Sequence, residues 1–166
     1  MSNDFRIYGA EMSPYSVKIR SYFRYKNISH QWLQRIRHEE EYQKYARIPI
    51  IPVVVTPDDE GMQDSTPIIE KLDPLYPEPS IHPDDPTLAF LSALIEEYGD
   101  EWGNKLMFHH RWYTEPDQLA TAHVLARDVL PYESREAVDS LAEKILKRMS
   151  GRGAFVGSNE ATAHLI

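Results

Sequence analysis

Five prolines, Pro74, Pro77, Pro79, Pro83 and Pro86, fall within thirteen residues near the middle of a 166-residue chain. Each fixes its own φ and removes a backbone donor, so neither a regular helix nor a sheet strand runs through such a stretch. Whatever forms on either side must form separately. A chain of this length supports one ordinary domain or two small ones that share an interface. The expected division is residues 1–76, a stiff proline-rich linker at 77–86, and a second piece at 87–166.

The first piece mixes strand and helix signals. Phe5, Ile7 and Tyr8 open a short apolar run that Gly9 stops, which predicts a buried strand. Ser13-Pro14 then reads as an N-cap followed by proline at the first helical position, where its missing N–H costs nothing. Val17, Ile19, Tyr22, Phe23 and Tyr25 give that helix its apolar positions as far as about Lys26. His30 to Arg35 alternates as a second strand, with Trp32 and Leu33 on opposite sides. His38 to Arg47 is polar and reads as a surface helix or a turn-rich segment.

Next comes the β-branched run Ile50 to Val55, whose strand must start at or after Pro52 or leave that position on an edge. Asp58 to Gly61 is a turn, Met62 to Asp64 a fourth strand, and Ser65 to Asp73 a helix carrying Ile68, Ile69 and Leu72 inward. The resulting order fits an α/β unit with helices covering a mixed sheet.

Beyond Pro86 the strand signal nearly vanishes. Leu88, Leu91, Leu94, Ile95, Tyr98, Trp102 and Leu106 recur at helical spacing, predicting one long helix or two joined near Gly99 and Gly103. Leu119 to Val129 predicts another helix before Pro131. Ser134 caps a third, whose Val138, Leu141, Ala142, Ile145, Leu146 and Met149 form a stripe suited to core packing. The second piece is all helical.

Eighteen Lys and Arg stand against 26 Asp and Glu, a formal charge of -8. That balance disfavours a nucleic-acid partner, whose phosphates need clustered positive charge. Neither a membrane-spanning apolar run nor a secretory leader is evident, so the expected setting is cytoplasmic. The chain has no cysteine, which removes disulfides, thiolate nucleophiles and thiol–disulfide exchange.

Three local features, in this order and context, resemble the glutathione S-transferase superfamily over about residues 4 to 76. Tyr8 to Ser16 leads from the first strand into the first helix, where that superfamily places the Tyr, Ser or Cys that contacts the glutathione sulfur. Ile50-Ile51-Pro52-Val53 resembles the element whose proline is cis. Gln63-Asp64-Ser65-Thr66-Pro67-Ile68 resembles the acidic-Ser turn that holds the γ-glutamyl end of glutathione. The resemblance implies a thioredoxin-like N-terminal domain, followed by a partial or shortened helical domain of the same superfamily.

The resemblance also implies roles. Ser13 would stabilise the thiolate of glutathione, the co-substrate, while Tyr8 and Tyr15 are alternatives for that contact. Core packing is the simpler role for Tyr8, and packing or a hydrogen bond for Ser16. Ile51, beside a cis Pro52, would offer its backbone to the cysteinyl part. Asp64 would face the ammonium and Ser65 the carboxylate of the γ-glutamyl part, with Asp64 shorter than the usual Glu or Gln. Arg37 is the candidate for the glycyl carboxylate, from a group that includes Gln34, Arg35 and Lys44.

Met107, His110 and Arg111 are candidates for the wall facing a small hydrophobic electrophile. A homodimer is the implied assembly. Fewer residues follow Pro86 than such helical domains commonly contain, and their later helix-capping segment is not evident, so the second piece reads as shortened or incomplete. No dedicated metal site is expected, because His109 and His110 are adjacent and Glu97 and Glu101 complete no familiar pattern. The competing readings are therefore a transferase and a noncatalytic binding or scaffold protein on the same fold.

Overall fold

The computed structural model describes residues 4–165, which form two compact units divided between Pro83 and Asp84. In the first, β1 (Phe5–Gly9) is followed by α1 (Pro14–Tyr25), β2 (His30–Gln34), a 3-10 turn at Arg35–Arg37 and α2 (Glu39–Tyr45). β3 (Val53–Val55), β4 (Gly61–Gln63) and α3 (Ser65–Leu72) complete it. The sheet order is β2-β1-β3-β4, with β1 parallel to β2 and the other neighbours antiparallel. This is the expected thioredoxin-like arrangement.

Alternation along β1 and β3 explains why their residues are apolar on both sides. Phe5, Ile7 and Val54 pack with Ile19 and Phe23 of α1 and Ile68 and Leu72 of α3. Tyr8, Val53 and Val55 point the other way and pack with Tyr42 of α2. Each large aliphatic or aromatic side chain buried in this way contributes about 1.5–3 kcal/mol relative to exposure. Tyr42 turns the polar 38–47 stretch into an ordered helix that covers one face.

β3 begins only at Val53, directly after the cis Ile51–Pro52 bond. It is an interior strand, and Pro52 stays outside its ladder. β4 begins one residue earlier than its apolar pattern suggests. Gly61 pairs with Val55 and lies so near α2 that a Cβ there would stand 2.9 Å from the Tyr45 Cβ.

The proline-rich segment is strapped to the first unit. The Lys26 ammonium, with its side chain fully buried, pairs with Asp73 Oδ1 at 2.5 Å and donates to the carbonyls of Tyr76 at 2.8 Å and Pro77 at 3.3 Å. Tyr25 donates its hydroxyl proton to the Ser80 carbonyl, and Tyr76 and Ile81 pack against the α1–α3 core. The Glu78–Pro79 bond is also cis.

The second unit is helical. α4 (Pro86–Tyr98) passes through a π-helical turn at Gly99–Gly103 into α5 (Asn104–Trp112), followed by α6 (Glu115–Val129) and α7 (Arg135–Ser150). Asp85, Thr114 and Ser134 cap α4, α6 and α7 through side-chain oxygens. The α7 stripe packs as expected, Val138 and Ala142 meeting Trp112, Ala122 and Ala126, with Leu141, Ile145, Leu146 and Met149 against them. By contrast Leu88, Leu91, Ile95, Tyr98 and Trp102 are exposed. His109 is buried, hydrogen-bonds Ser158 Oγ through Nδ1 at 2.8 Å and stacks on Tyr113. No helix among the described residues is long and apolar enough to cross a membrane.

Candidate functional site

Strand register gathers the candidate residues at one end of the sheet. Tyr8 pairs with Val53, and Val53 pairs with Gln63, so the C-terminal end of β1, the N-terminal end of β3 and the C-terminal end of β4 coincide. Gly9 pairs with Gln34, which brings the end of β2 alongside. Ser13, Ile51-Pro52, Asp64-Ser65 and the turn bearing Arg37 all leave the sheet there. They come from four separate chain segments.

Ser13 is the N-cap of α1. Its Oγ accepts the Ser16 N–H at 3.2 Å and its carbonyl accepts the Val17 N–H at 3.0 Å. Accepting that bond does not use the hydroxyl's own proton, which a hydroxyl can donate to an anion. The helix start supplies a field of the same sign.

The loop before Ser13 is braced on both sides. Glu11 accepts two hydrogen bonds from the Arg20 guanidinium, at 2.6 and 2.8 Å, which holds its carboxyl below the usual carboxylate range. That guanidinium lies 4.2 Å from the centre of the Trp32 ring. Gly9 is fitted beneath, since a Cβ there would stand 2.6 Å from Trp32 Cη2 and 2.9 Å from Ser16 Cβ. Ser16 is fully buried, and its Oγ has no hydrogen-bond partner among the described residues. It packs under the loop.

The chain before the cis bond is pinned by two side chains. Gln63 Oε1 accepts from the N–H groups of Arg47 at 2.7 Å and Ile48 at 3.3 Å, while its Nε2 donates to the carbonyls of Ile48 at 2.9 Å and Ile50 at 3.2 Å. Tyr42 donates its hydroxyl proton to the Ile50 carbonyl at 2.8 Å. Ile51 and Pro52 are thus presented on a held loop. Nothing in the local sequence of Gln63 signals this role, because its partners are backbone groups of a distant loop.

Asp64 occupies φ +73°, ψ +130°, a backbone region that L-residues rarely adopt. It forms the N-cap of α3 with no side-chain capping bond, and its carboxylate is exposed. Ser65 follows, buried at the helix start. Lys18 of α1 donates to Thr66 Oγ1 at 3.3 Å and brings a cation to the first turn of α3. An exposed carboxylate, helix-start N–H groups and a nearby ammonium suit a zwitterion.

The other candidates separate clearly. Tyr8 is fully buried, stacks on Tyr45 and meets Tyr42 and His38 edge-on, and burial pushes its phenol well above the ordinary range. It is a core residue. Tyr15 is half-buried. Arg35 is bound to Glu39 at 2.9 Å and lies over Tyr42, whereas Arg37 is exposed. In the second unit Met107 is half-buried and His110 exposed, while desolvation lowers the half-buried Arg111 guanidinium from its ordinary value.

Residues 7–80 match the family described as glutathione S-transferase, N-terminal domain. The first unit therefore carries a domain similar to the N-terminal domain of glutathione S-transferases. The fold of the chain is similar to that of a glutathione S-transferase from Methylobacterium radiotolerans in complex with glutathione sulfonate, at 17% identity and a TM-score of 0.53. That match covers 95% of this chain and 69% of the other. A Methylobacillus flagellatus glutathione S-transferase with glutathione bound matches at 22% identity and 0.53, covering 90% of this chain and 66% of that one. The Tau class glutathione S-transferase of mango, Mangifera indica, matches at 20% identity and 0.56, covering 99% and 86%. Comparison with curated protein sequences gives no match. In glutathione S-transferase terms, the strand-end cluster lies wholly within the matched domain.

Proposed function

We propose that this chain binds glutathione at the described end of the sheet and conjugates its thiolate to a small hydrophobic electrophile. The observation that carries the reading is the convergence of Ser13, the cis Ile51–Pro52 bond and the strained Asp64-Ser65 turn on one sheet end. In this reading the Asp64 carboxylate takes the γ-glutamyl ammonium, and Ser65 with the α3 N–H groups takes the neighbouring carboxylate. Ile51 pairs its backbone with the cysteinyl residue, and Arg37 takes the glycyl carboxylate.

Ser13 donates its hydroxyl proton to the sulfur. Hydrogen bonding to the charged form lowers a thiol pKa and raises the thiolate fraction at neutral pH, at some cost in intrinsic nucleophilicity. The sulfur of glutathione is the nucleophile, and Ser13 forms no covalent bond. With no cysteine in the chain, disulfide exchange on a protein sulfur is outside its chemistry. Met107, His110 and Arg111 belong to this reading as electrophile-facing residues, and a cytoplasmic homodimer is its assembly and setting.

Calorimetry with glutathione followed by a panel of electrophiles tests it. Ser13→Ala should retain most glutathione affinity but lose about tenfold to a hundredfold in turnover, the equivalent of one hydrogen bond to a charged group. Asp64→Ala and Ser65→Ala should instead weaken binding. Absence of binding at millimolar glutathione by the folded chain would sink the assignment. The noncatalytic reading draws on the exposed Leu88, Leu91, Ile95, Tyr98 and Trp102 of α4 and its π turn, an apolar surface suited to a protein partner. It predicts glutathione binding without turnover and a partner interaction insensitive to Ser13→Ala.

A further inference from the structure

Beside the edge strand β4 lies a recess of about 220 Å³, lined among others by Tyr45, Arg47, Gly61, Gln63, Pro67 and Lys71. The chain carries a formal charge of -8, yet the ionic side chains lining this recess are both cations. Arg47 comes from the loop that precedes the cis bond, and Lys71 from the outer side of α3. Among the described residues no ion pair engages the Arg47 guanidinium. Lys71 meets Glu60 Oε2 at 3.8 Å, a loose contact between two exposed side chains.

Both cations stand on held backbone. The Arg47 N–H donates to Gln63 Oε1 at 2.7 Å, and the same amide also holds Ile48 and Ile50 of the loop. Lys71 sits one turn beyond Pro67 in a regular helix. The Tyr45 hydroxyl donates to Asp59 at 2.6 Å, and the Arg6 guanidinium lies 5.3 Å from the centre of its ring. Two cationic residues on the lining of one recess, a guanidinium and an ammonium, attract a dianion more strongly than a monoanion and can hydrogen-bond several of its oxygens.

We propose that this recess binds a small phosphate dianion, either inorganic phosphate or the phosphoryl group of a small monoester, between Arg47 and Lys71. Ser13, Ile51, Asp64 and Ser65 do not line it. The proposal therefore stands apart from the glutathione reading, and Ser13→Ala should leave it intact.

Amide NMR of the full chain, titrated at constant ionic strength, tests the site with inorganic phosphate, methyl phosphate and acetate. Phosphate should give saturable shifts at Arg47, Gly61, Gln63 and Lys71, and acetate none. Saturation by phosphate alone assigns the free ion, and saturation by both phosphates assigns a monoester as well. Arg47→Gln and Lys71→Gln should each weaken binding about tenfold, the cost of losing one charge-assisted hydrogen bond. Glu60→Gln, which frees Lys71, should tighten it about twofold, whereas Glu143→Gln on the second unit should do nothing. The same spectra report that each variant is folded. Linear, non-saturating shifts, an equal response to acetate, or unchanged affinity in folded Arg47→Gln would overturn the proposal.

Discussion

Replacing Lys26 with Met should loosen the proline-rich strap while leaving the α1 side chain's packing largely in place. The ammonium is the centre of the strap's attachment: it holds Asp73 at 2.5 Å and two backbone carbonyls, and its side chain is fully buried. Breaking a buried ion pair by removing one partner typically costs about 3–5 kcal/mol, because the remaining charge is left uncompensated. Here Asp73 retains some exposure, the His82 Nε2 at 3.2 Å and the Tyr22 hydroxyl at 3.4 Å. The expected loss is therefore smaller, about 2–3 kcal/mol.

Hydrogen exchange is the suitable assay, since two units need not unfold in one step. Amides of α1, α3 and residues 76–82 should exchange about 30- to 150-fold faster, with each 1.4 kcal/mol worth about tenfold. Amides of α6 and α7 should not change. Removing both charges, as Lys26→Met with Asp73→Leu, should recover most of the loss, because no buried charge is then left uncompensated. A single variant within about 0.5 kcal/mol of wild type, the range of ordinary surface changes, would refute the reasoning. So would a double variant no more stable than the single one.

Gly9→Ala should destabilise the first unit by about 1–3 kcal/mol, the usual cost of overpacking, because the new methyl would stand 2.6 Å from Trp32; thermal unfolding followed by Trp32 environment reports it. Asp64→Gly should stabilise the fold by about 1 kcal/mol by relieving the φ +73° conformation, while weakening glutathione binding, and denaturation paired with calorimetry separates the two effects. Glu11 has its folded-state pKa lowered by Arg20, so its contribution is present above its unfolded value of about 4.3 and lost as pH falls through the lower folded value. Urea midpoints of wild type and Glu11→Gln should thus differ at pH 7 and converge in acid.

Much of the first unit is legible because its signals are local. Ser13-Pro14 marks a helix start by its own chemistry, and the alternation of Phe5, Ile7 and Tyr8 marks a strand by its period. Both appear where expected. The two faces of β3 are another matter. Val53, Val54 and Val55 read as a uniform run, and only the register with β1 assigns Val54 to α1 and α3 and its neighbours to α2.

Roles that depend on distant backbone are not legible. Gln63 looks like a polar residue before a turn, and its four bonds to the 47–50 loop exist only once β4 lies beside that loop. Lys26 reads as the polar end of an amphipathic helix, yet the returning strap buries it. In the second unit the same limit works in reverse. Leu88, Leu91, Ile95, Tyr98 and Trp102 have the spacing of a packed face, but periodicity specifies only that residues share a side, not what covers it.

This distinction bears on Ser13 directly. Its N-cap bond to the Ser16 N–H is a local property, and an ordinary capping serine would make the same bond. What separates a cap from a sulfur-holding group is whether an anion can arrive at the hydroxyl proton, and that depends on chain brought in by register. Gly9 admits the close approach of Trp32 and Ser16, Arg20 braces the loop through Glu11, and Gln63 holds the chain that leads into Pro52. In the proposed reading, none of these side chains needs to touch glutathione in order to shape the site. Their removal should move binding and turnover together, whereas removal of the Ser13 hydroxyl should act chiefly on turnover, and this split between the two kinds of variant is what a sulfur-holding role requires.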